Sequence, residues 1–251
     1  MPTGFSVIRR AAKEAANNQR SKQGGQVQRG QGFREYREFL KFAGDLVRLP
    51  IPGEGPLDHL LPEARWRELL AGVPDEAAWL MTLSQATGVY FFPSREWVQT
   101  LMRYLKFLKV TRLLEAGAGR GYLTAALAPL CDAAGIKFRA VDKGEGEFVS
   151  GLPVYAGVAA GDAFAVIQEF APEVVVYAWP PPGQSLAAIC QMSFLRYLIV
   201  IGEADSNTTG ARRDWQTLPH LRSAALSRCG RGRTGSQRHA VTVFYGGWKK
   251  S

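Results

Sequence analysis

The sequence predicts an α/β fold: a three-layer sandwich on a mostly parallel seven-stranded sheet, with a helical extension at the N-terminus. Three observations lead there. From Thr111 onward, short apolar runs alternate with helix-like segments, the pattern of a parallel sheet covered on both faces. A glycine-rich turn, Gly117 to Gly121, joins the first of these runs to the first helix. Two closing apolar runs are separated only by the Arg/Gly-rich stretch Gly230 to His239, which predicts an antiparallel pair.

Three regions follow in order. Residues 1–33 are rich in Gln, Asn, Gly, Arg and Lys and carry almost no large apolar side chain after Ile8. Such a stretch buries too little surface to offset its ordering entropy, so it is predicted to be a disordered basic tail. Its Arg-rich, acid-poor composition also suits an organelle transit peptide, though weakly. Residues 34–110 form a helical region, in which Phe39, Leu40, Phe42, Ala43, Leu46 and Val47 repeat at helical spacing. The proline-rich stretch Leu49 to Pro56 divides it. Its last helix follows Tyr90-Phe-Phe-Pro-Ser94, with Ser94 as cap, Glu96 at the positive dipole end, and a stripe of Trp97, Val98, Leu101, Met102, Leu105 and Leu108 for docking.

Residues 111–251 carry the sheet. Strands are predicted at 111–117, 137–142, 153–158, 173–179 and 197–203, with helices at about 121–134, 163–170 and 184–195. Ser223 to Cys229 and Ala240 to Trp248 are read as the closing strands.

Charge and composition narrow the partners. The formal net charge is +9, but residues 1–33 hold six Lys/Arg against one acid and residues 205–251 hold nine against two, leaving a slightly acidic body. Basic ends predict an anionic partner, nucleic acid first; a solubilising tail and an ordinary basic face explain them equally well. No apolar run reaches the length of a membrane span, and Met1 to Arg10 lacks the apolar length of a secretory signal, so no membrane is expected. Cys131, Cys190 and Cys229 lie far apart, which argues against both a disulfide framework and a metal site and suits a reducing, cytoplasmic setting, with organelle or nucleus left open. His59, His220 and His239 are isolated from one another, and structural roles are favoured for each.

The chemistry is concentrated in Glu115-Ala-Gly117-Ala-Gly119-Arg-Gly121. One glycine makes a tight turn; three in alternation after an acid suggest a ligand that approaches the main chain closely. A dinucleotide fingerprint beginning at Gly117 requires its third glycine at position 122, and that residue is Tyr122. The pattern instead resembles motif I of the class I S-adenosylmethionine-dependent methyltransferases, and the likeness extends over roughly residues 94–204. That resemblance implies a sheet whose last strand is antiparallel, and S-adenosylmethionine as cofactor. It implies that Glu115, Gly117, Ala118, Gly119 and Gly121 hold the cofactor's methionine portion and that Asp142 holds the ribose hydroxyls. Asp162, with Ala163 beside it, matches the position that contacts the adenine amino group, and Asp162 equally suits a helix N-cap.

The acceptor is less legible. Where methyltransferases acting on adenine carry Asp/Asn-Pro-Pro-aromatic, this chain has Trp179-Pro180-Pro181-Pro182, which lacks the amine-binding side-chain oxygen. Trp179 and Glu203 are the candidate catalytic residues: Trp179 to stack on a planar or cationic substrate or equally to serve as a rigid apolar plug, Glu203 to orient an amine or act as base or equally to cap the following loop or pair with Arg212 or Arg213. Tyr90, Phe91, Phe92, Trp179, Pro180 and Pro181 are the candidate substrate contacts, with core packing the plainer role for the first three. The reading is a methyltransferase acting on RNA, DNA or a nucleic-acid-bound protein. The alternatives are a small-molecule methyltransferase, a non-catalytic module of the same fold and, more distantly, a nicotinamide oxidoreductase.

Overall fold

The structure, a computed structural model, describes residues 29–144, 151–204 and 208–247. The predicted basic tail lies outside the described residues up to position 28, and its last five positions already belong to the first helix.

Helices α1 (Arg29–Leu46), α2 (Glu63–Ala71) and α3 (Glu76–Thr87) are followed by a short strand β1 (Phe91–Pro93) and by α4 (Arg95–Phe107). Each boundary has a local cause. Asp75 accepts a hydrogen bond from the N–H of Ala78 to cap α3, which stops at Gly88 in the left-handed region, φ 68°. Ser94 caps α4 by accepting from the N–H of Trp97 at 3.2 Å. On α4 the residues Trp97, Val98, Leu101, Met102 and Leu105 of the expected stripe are buried, while Leu108 follows the helix as its C-cap and is half-buried.

The sheet region runs β2 (Arg112–Ala116), α5 (Thr124–Ala133), β3 (Lys137–Asp142), β4 (Val158–Ala160), α6 (Ala163–Phe170), β5 (Val174–Ala178), α7 (Leu186–Cys190), β6 (Tyr197–Glu203), α8 (Arg212–Thr217), β7 (His220–Arg222), α9 (Ala224–Arg228), β8 (Gly230–Gly232) and β9 (His239–Tyr245). Seven of these strands form one sheet in the order β4-β3-β2-β5-β6-β9-β7. Strand β9 is antiparallel to both neighbours, and every other pairing is parallel. This is the mostly parallel seven-stranded sheet with an antiparallel last strand that the sequence predicts.

Alternation along the strands divides the core in two. Leu113, Val174, Val176, Ile199, Ile201 and Val241 face one hydrophobic cluster, which they share with α1 to α5; Leu114, Val175, Tyr177, Leu198, Val200 and Phe244 face the other, with α6 to α8. The helical N-terminal region therefore packs into the same core as the sheet. Chain order reverses between β2 and β5, and in such sheets the crevice beyond the carboxyl ends at the reversal is where ligands bind.

Three expectations are corrected, and one strand pairing is new. Ser223 to Cys229 is no strand: Ser223 accepts from the N–H of Leu226, and the good helix formers Ala224, Ala225 and Leu226 make helix α9. The sheet's edge strand lies just before it, at β7. The third sheet strand is 158–160 rather than 153–158, because Val158 N–H closes a turn onto the carbonyl of Tyr155. Helix α7 is shorter than the expected 184–195 and begins at Leu186, where the Asp214 carboxylate accepts from the N–H groups of Leu186 and Ala187 at 2.6 and 3.0 Å. Finally, β1 and β8 form an antiparallel ribbon outside the main sheet, pairing Phe91 with Gly232 and Pro93 with Gly230.

Candidate functional site

A cavity of about 800 Å³ lies at the sheet reversal, lined by the turn after β2, the ends of β3 and β5, and residues preceding β1 and following β8. Of the predicted cofactor residues, Glu115, Gly117, Ala118, Gly119, Asp142, Asp162 and Ala163 all line it.

Glu115 sits in strand β2 between Ala140 of β3 and Val176 of β5 and is 2% exposed. Its Oε2 accepts from the Thr124 hydroxyl at 2.8 Å. No ion pair to it occurs among the described residues, and burial pushes its pKa up to about 8. A buried carboxyl group on a cavity wall, held protonated for want of a cation, fits a ligand ammonium group.

Asp142 does two things at once. Its Oδ2 accepts from Gly119 N–H at 2.7 Å, tying the glycine turn to β3, and its Oδ1 accepts from Gly144 N–H at 2.7 Å. Each oxygen retains acceptor capacity, which fits a pair of ribose hydroxyls. Asp162 caps α6 through Ala165 N–H at 3.0 Å and meets Lys143 Nζ at 3.0 Å; both contacts hold its carboxyl below the usual range. The capping role is thus present together with a place on the cavity wall.

Gly121 differs from its neighbours. It does not line the cavity but turns the chain into α5 at φ +79°, where an added Cβ would lie 2.7 Å from both Tyr155 Cβ and Val158 Cγ2. Gly119 also has positive φ, yet its Cβ would meet only the Gly88 carbonyl at 3.7 Å. Gly121→Ala is therefore expected to cost about 2–5 kcal/mol, from left-handed strain plus overpacking, and Gly119→Ala only about 1–2 kcal/mol. Denaturant unfolding of the two variants checks the order; equal losses would mean that β4 yields to the methyl group.

The acceptor side is built differently from expectation. Tyr90, Phe91, Trp179 and Pro181 line the cavity, but Phe92 and Pro180 do not. Phe92 is fully buried against Trp66, at 5.9 Å between ring centroids, because it points to the core face of β1. Pro180 is held off the wall by its carbonyl, which accepts from Gly210 N–H at 3.0 Å. Glu203 also lies off the cavity, its N–H on the Thr209 hydroxyl and its Oε2 accepting from Thr208, so it caps the loop that follows β6.

Trp179 keeps its place at the centre. It is 8% exposed and adopts a left-handed backbone, φ 53°, while its N–H donates to Ile201 O at 2.7 Å. Among the described residues, the other non-glycine positions with positive φ, Lys109 and Ala171, end helices; Trp179 instead ends a strand at the cavity, a strained position typical of functional sites. A cation stacks on it, as its chemistry suggested, but the cation is the protein's own. Arg233 lies over the Trp179 ring at 5.2 Å and over the Tyr90 ring at 5.0 Å.

Sequence reading missed Arg233, and also Arg120, whose guanidinium ties the glycine turn to the carbonyls of Thr87 and Pro153 at 2.9 and 3.1 Å. The only signal for Arg233 was an arginine in a Gly-rich turn. The histidines are structural: His59 Nε2 lies 3.2 Å from the Tyr122 carbonyl, His220 Nδ1 lies 2.9 Å from that of Leu218, and His239 stacks on Phe91.

No family model and no curated protein matches the sequence. Among solved structures, the chain resembles a SAM dependent methyltransferase from Archaeoglobus fulgidus at 12% identity, over 59% of this chain and 94% of that one, TM-score 0.33. It resembles cofactor-bound Rv0187 from MTB at 16% identity, over 78% and 99%, TM-score 0.41. It also resembles the citrinin polyketide synthase CMeT domain at 12% identity, over 100% and 80%, TM-score 0.41. The fold rests on the sheet order of this chain, and its chemistry on the cavity residues.

Proposed function

We propose that this chain is an S-adenosylmethionine-dependent methyltransferase. The observation that carries the reading is Glu115: a buried carboxyl group without a cationic partner among the described residues, on the wall of a cavity at the sheet reversal. Around it, the Gly117–Gly119 backbone offers close approach, and Asp142 sits one strand over with acceptor capacity for a diol.

When bound, the cofactor supplies an electrophilic methyl group on a sulfonium. The chain's own residues bind and orient. Glu115 accepts from the ammonium group, main-chain groups of the turn meet the carboxylate, and Asp142 accepts from the ribose hydroxyls. Trp179 and Pro181 exclude water at the reacting end, and in-line positioning supplies most of the rate enhancement. No general base is required of the residues that line the cavity.

Calorimetric titration with S-adenosylhomocysteine and with NADH separates this reading from an oxidoreductase. Labelled-methyl transfer into separated pools of RNA, DNA, protein and metabolites then separates an enzyme from a binding module. Saturable S-adenosylhomocysteine binding with transfer into one pool is the expected result; binding of NADH alone overturns the reading.

We also propose nucleic acid as the partner of the basic termini, on the charge distribution. Removing residues 1–28 deletes five Lys/Arg and one acid, and is expected to weaken RNA or DNA binding and flatten the slope of log affinity against log salt. An unchanged slope removes the tail from the interface.

A further inference from the structure

We infer that a notch at the edge of the sheet, outside the cavity, docks a backbone phosphate of a nucleic-acid strand between Arg222 and Arg228. This deepens the nucleic-acid reading of the basic C-terminal region and rests on it.

The notch follows from unequal strand lengths. Strand β9 runs from His239 to Tyr245, but its outer neighbour β7 has only three residues and ends with Arg222 opposite Thr242. Beyond that point the outer edge of β9 is met by the chain around α9 instead of by a strand. Ser223 N–H donates to the Val241 carbonyl at 2.8 Å, and Val241 N–H donates to the Ser227 hydroxyl at 2.9 Å. The Arg222 guanidinium donates to the His239 carbonyl at 3.2 Å. The edge is thereby satisfied without being covered. What remains is a hollow of about 400 Å³ lined by Arg222, Ala224, Ser227, Arg228, Ser236 and His239.

This wall holds two arginines and no carboxylate. Both arginines are exposed, and each uses one hydrogen bond within the protein among the described residues: Arg222 on the His239 carbonyl, Arg228 Nε on the Ala224 carbonyl at 3.2 Å. A guanidinium has five donors in a planar fork, so both retain donors for the acceptor-only oxygens of a phosphate. The hydroxyl of Ser227 accepts from Val241 and keeps its own proton to donate. His239 adds no charge, because burial, with Arg231 and Arg222 nearby, pushes its pKa down to about 3. Glu76 reaches the same turn, but its Oε1 accepts from Ser236 N–H at 2.7 Å.

A strand suits this place better than a free anion. Residues 205–251 carry nine Lys/Arg against two acids, and one of those acids, Asp214, is buried on the N–H groups that open α7. The notch also adjoins the cavity. The turn after β8 begins at Arg233 on the cavity wall and ends at Ser236 and His239 on the notch, and the His239 ring stacks on Phe91 of the cavity wall at 5.5 Å. A polymer held here by its backbone can offer a neighbouring nucleotide to the cavity, and such a phosphate contact positions the strand without reading its sequence.

The test measures binding of a short single-stranded RNA, its DNA equivalent and inorganic phosphate to the full chain across a salt series. Arg222→Gln combined with Arg228→Gln is expected to weaken both oligonucleotides about tenfold and to reduce the slope of log affinity against log salt by about one. S-adenosylhomocysteine affinity should be unchanged, because no cavity residue is altered. Lys137→Gln with Arg139→Gln removes the same formal charge from exposed positions on β3, on the far side of the sheet, and is expected to cost much less. Should the notch variant fail to fold, Arg228→Gln alone carries the test, since that guanidinium bonds only within α9 among the described residues. Equal oligonucleotide binding by wild type and notch variant, or an equal loss in the β3 control, overturns the notch and leaves the nucleic-acid reading standing. Inorganic phosphate bound through these arginines as tightly as RNA overturns strand docking. A wild type that binds neither oligonucleotide overturns both readings.

Discussion

Replacing Glu115 by Gln is expected to make the protein more stable at pH 8 and a much poorer binder of its cofactor. In the folded chain burial raises the Glu115 pKa to about 8 from an ordinary 4.5. The sign follows from proton counting. Between about pH 4.5 and 8 the unfolded chain has released this proton and the folded chain has not, so stability falls as pH rises through that window and levels off above it. Each pKa unit is worth about 1.4 kcal/mol, so the penalty at pH 8 and above is several kcal/mol. Glutamine keeps the Thr124 hydrogen bond and removes the penalty, so melts of the variant should be flatter across this range than those of the wild type.

Binding runs the other way. An ammonium group beside Glu115 favours the carboxylate, so complex formation at pH 7 is expected to release close to one proton from the wild type and none from Glu115→Gln. Cofactor affinity of the variant should fall about ten- to a hundredfold, the loss of one charge-assisted contact. Calorimetry in buffers of different ionisation enthalpy measures both quantities. A wild type that releases no proton, with a variant of equal affinity, would separate Glu115 from the ammonium site.

The second large effect is at Glu63. Its carboxylate holds Arg231, which is buried and also lies over the Trp66 ring at 4.9 Å. Glu63→Ala leaves that guanidinium buried without its counter-charge, at a cost of about 3–5 kcal/mol. The consequence extends to the cavity, because Arg231 belongs to the β8 strand that brings Gly232 against Trp179 and Arg233 to the cavity wall. Glu63→Leu combined with Arg231→Met restores an apolar contact of similar volume and is expected to recover much of the stability. A single variant that costs less than about 1 kcal/mol would show that water reaches Arg231.

The sequence by itself determined the layered fold, because a buried parallel sheet writes itself as short apolar runs between amphipathic helices. It also made legible the residues proposed above to hold the cofactor. Glu115 and the glycine turn belong to one β-turn-helix unit, Asp142 ends the next strand, and the turn's positive-φ glycines are local needs of the backbone. Asp162 was legible as a cap for the same reason. The part of the cavity around Trp179 was decided only by tertiary structure. Phe91 and Phe92 are adjacent, chemically alike and both buried, and only the pairing of β1 with β8 sets one at the cavity wall against Trp97 and His239 and the other against Trp66. Arg231 and Arg233 are likewise alternate residues of one basic stretch. The first is buried on Glu63 and the second stacks on Trp179, because side chains two apart share a face only while the strand lasts, and β8 ends at Gly232. Contacts between segments so distant in the chain depend on how helices and ribbon pack, which local periodicity does not encode.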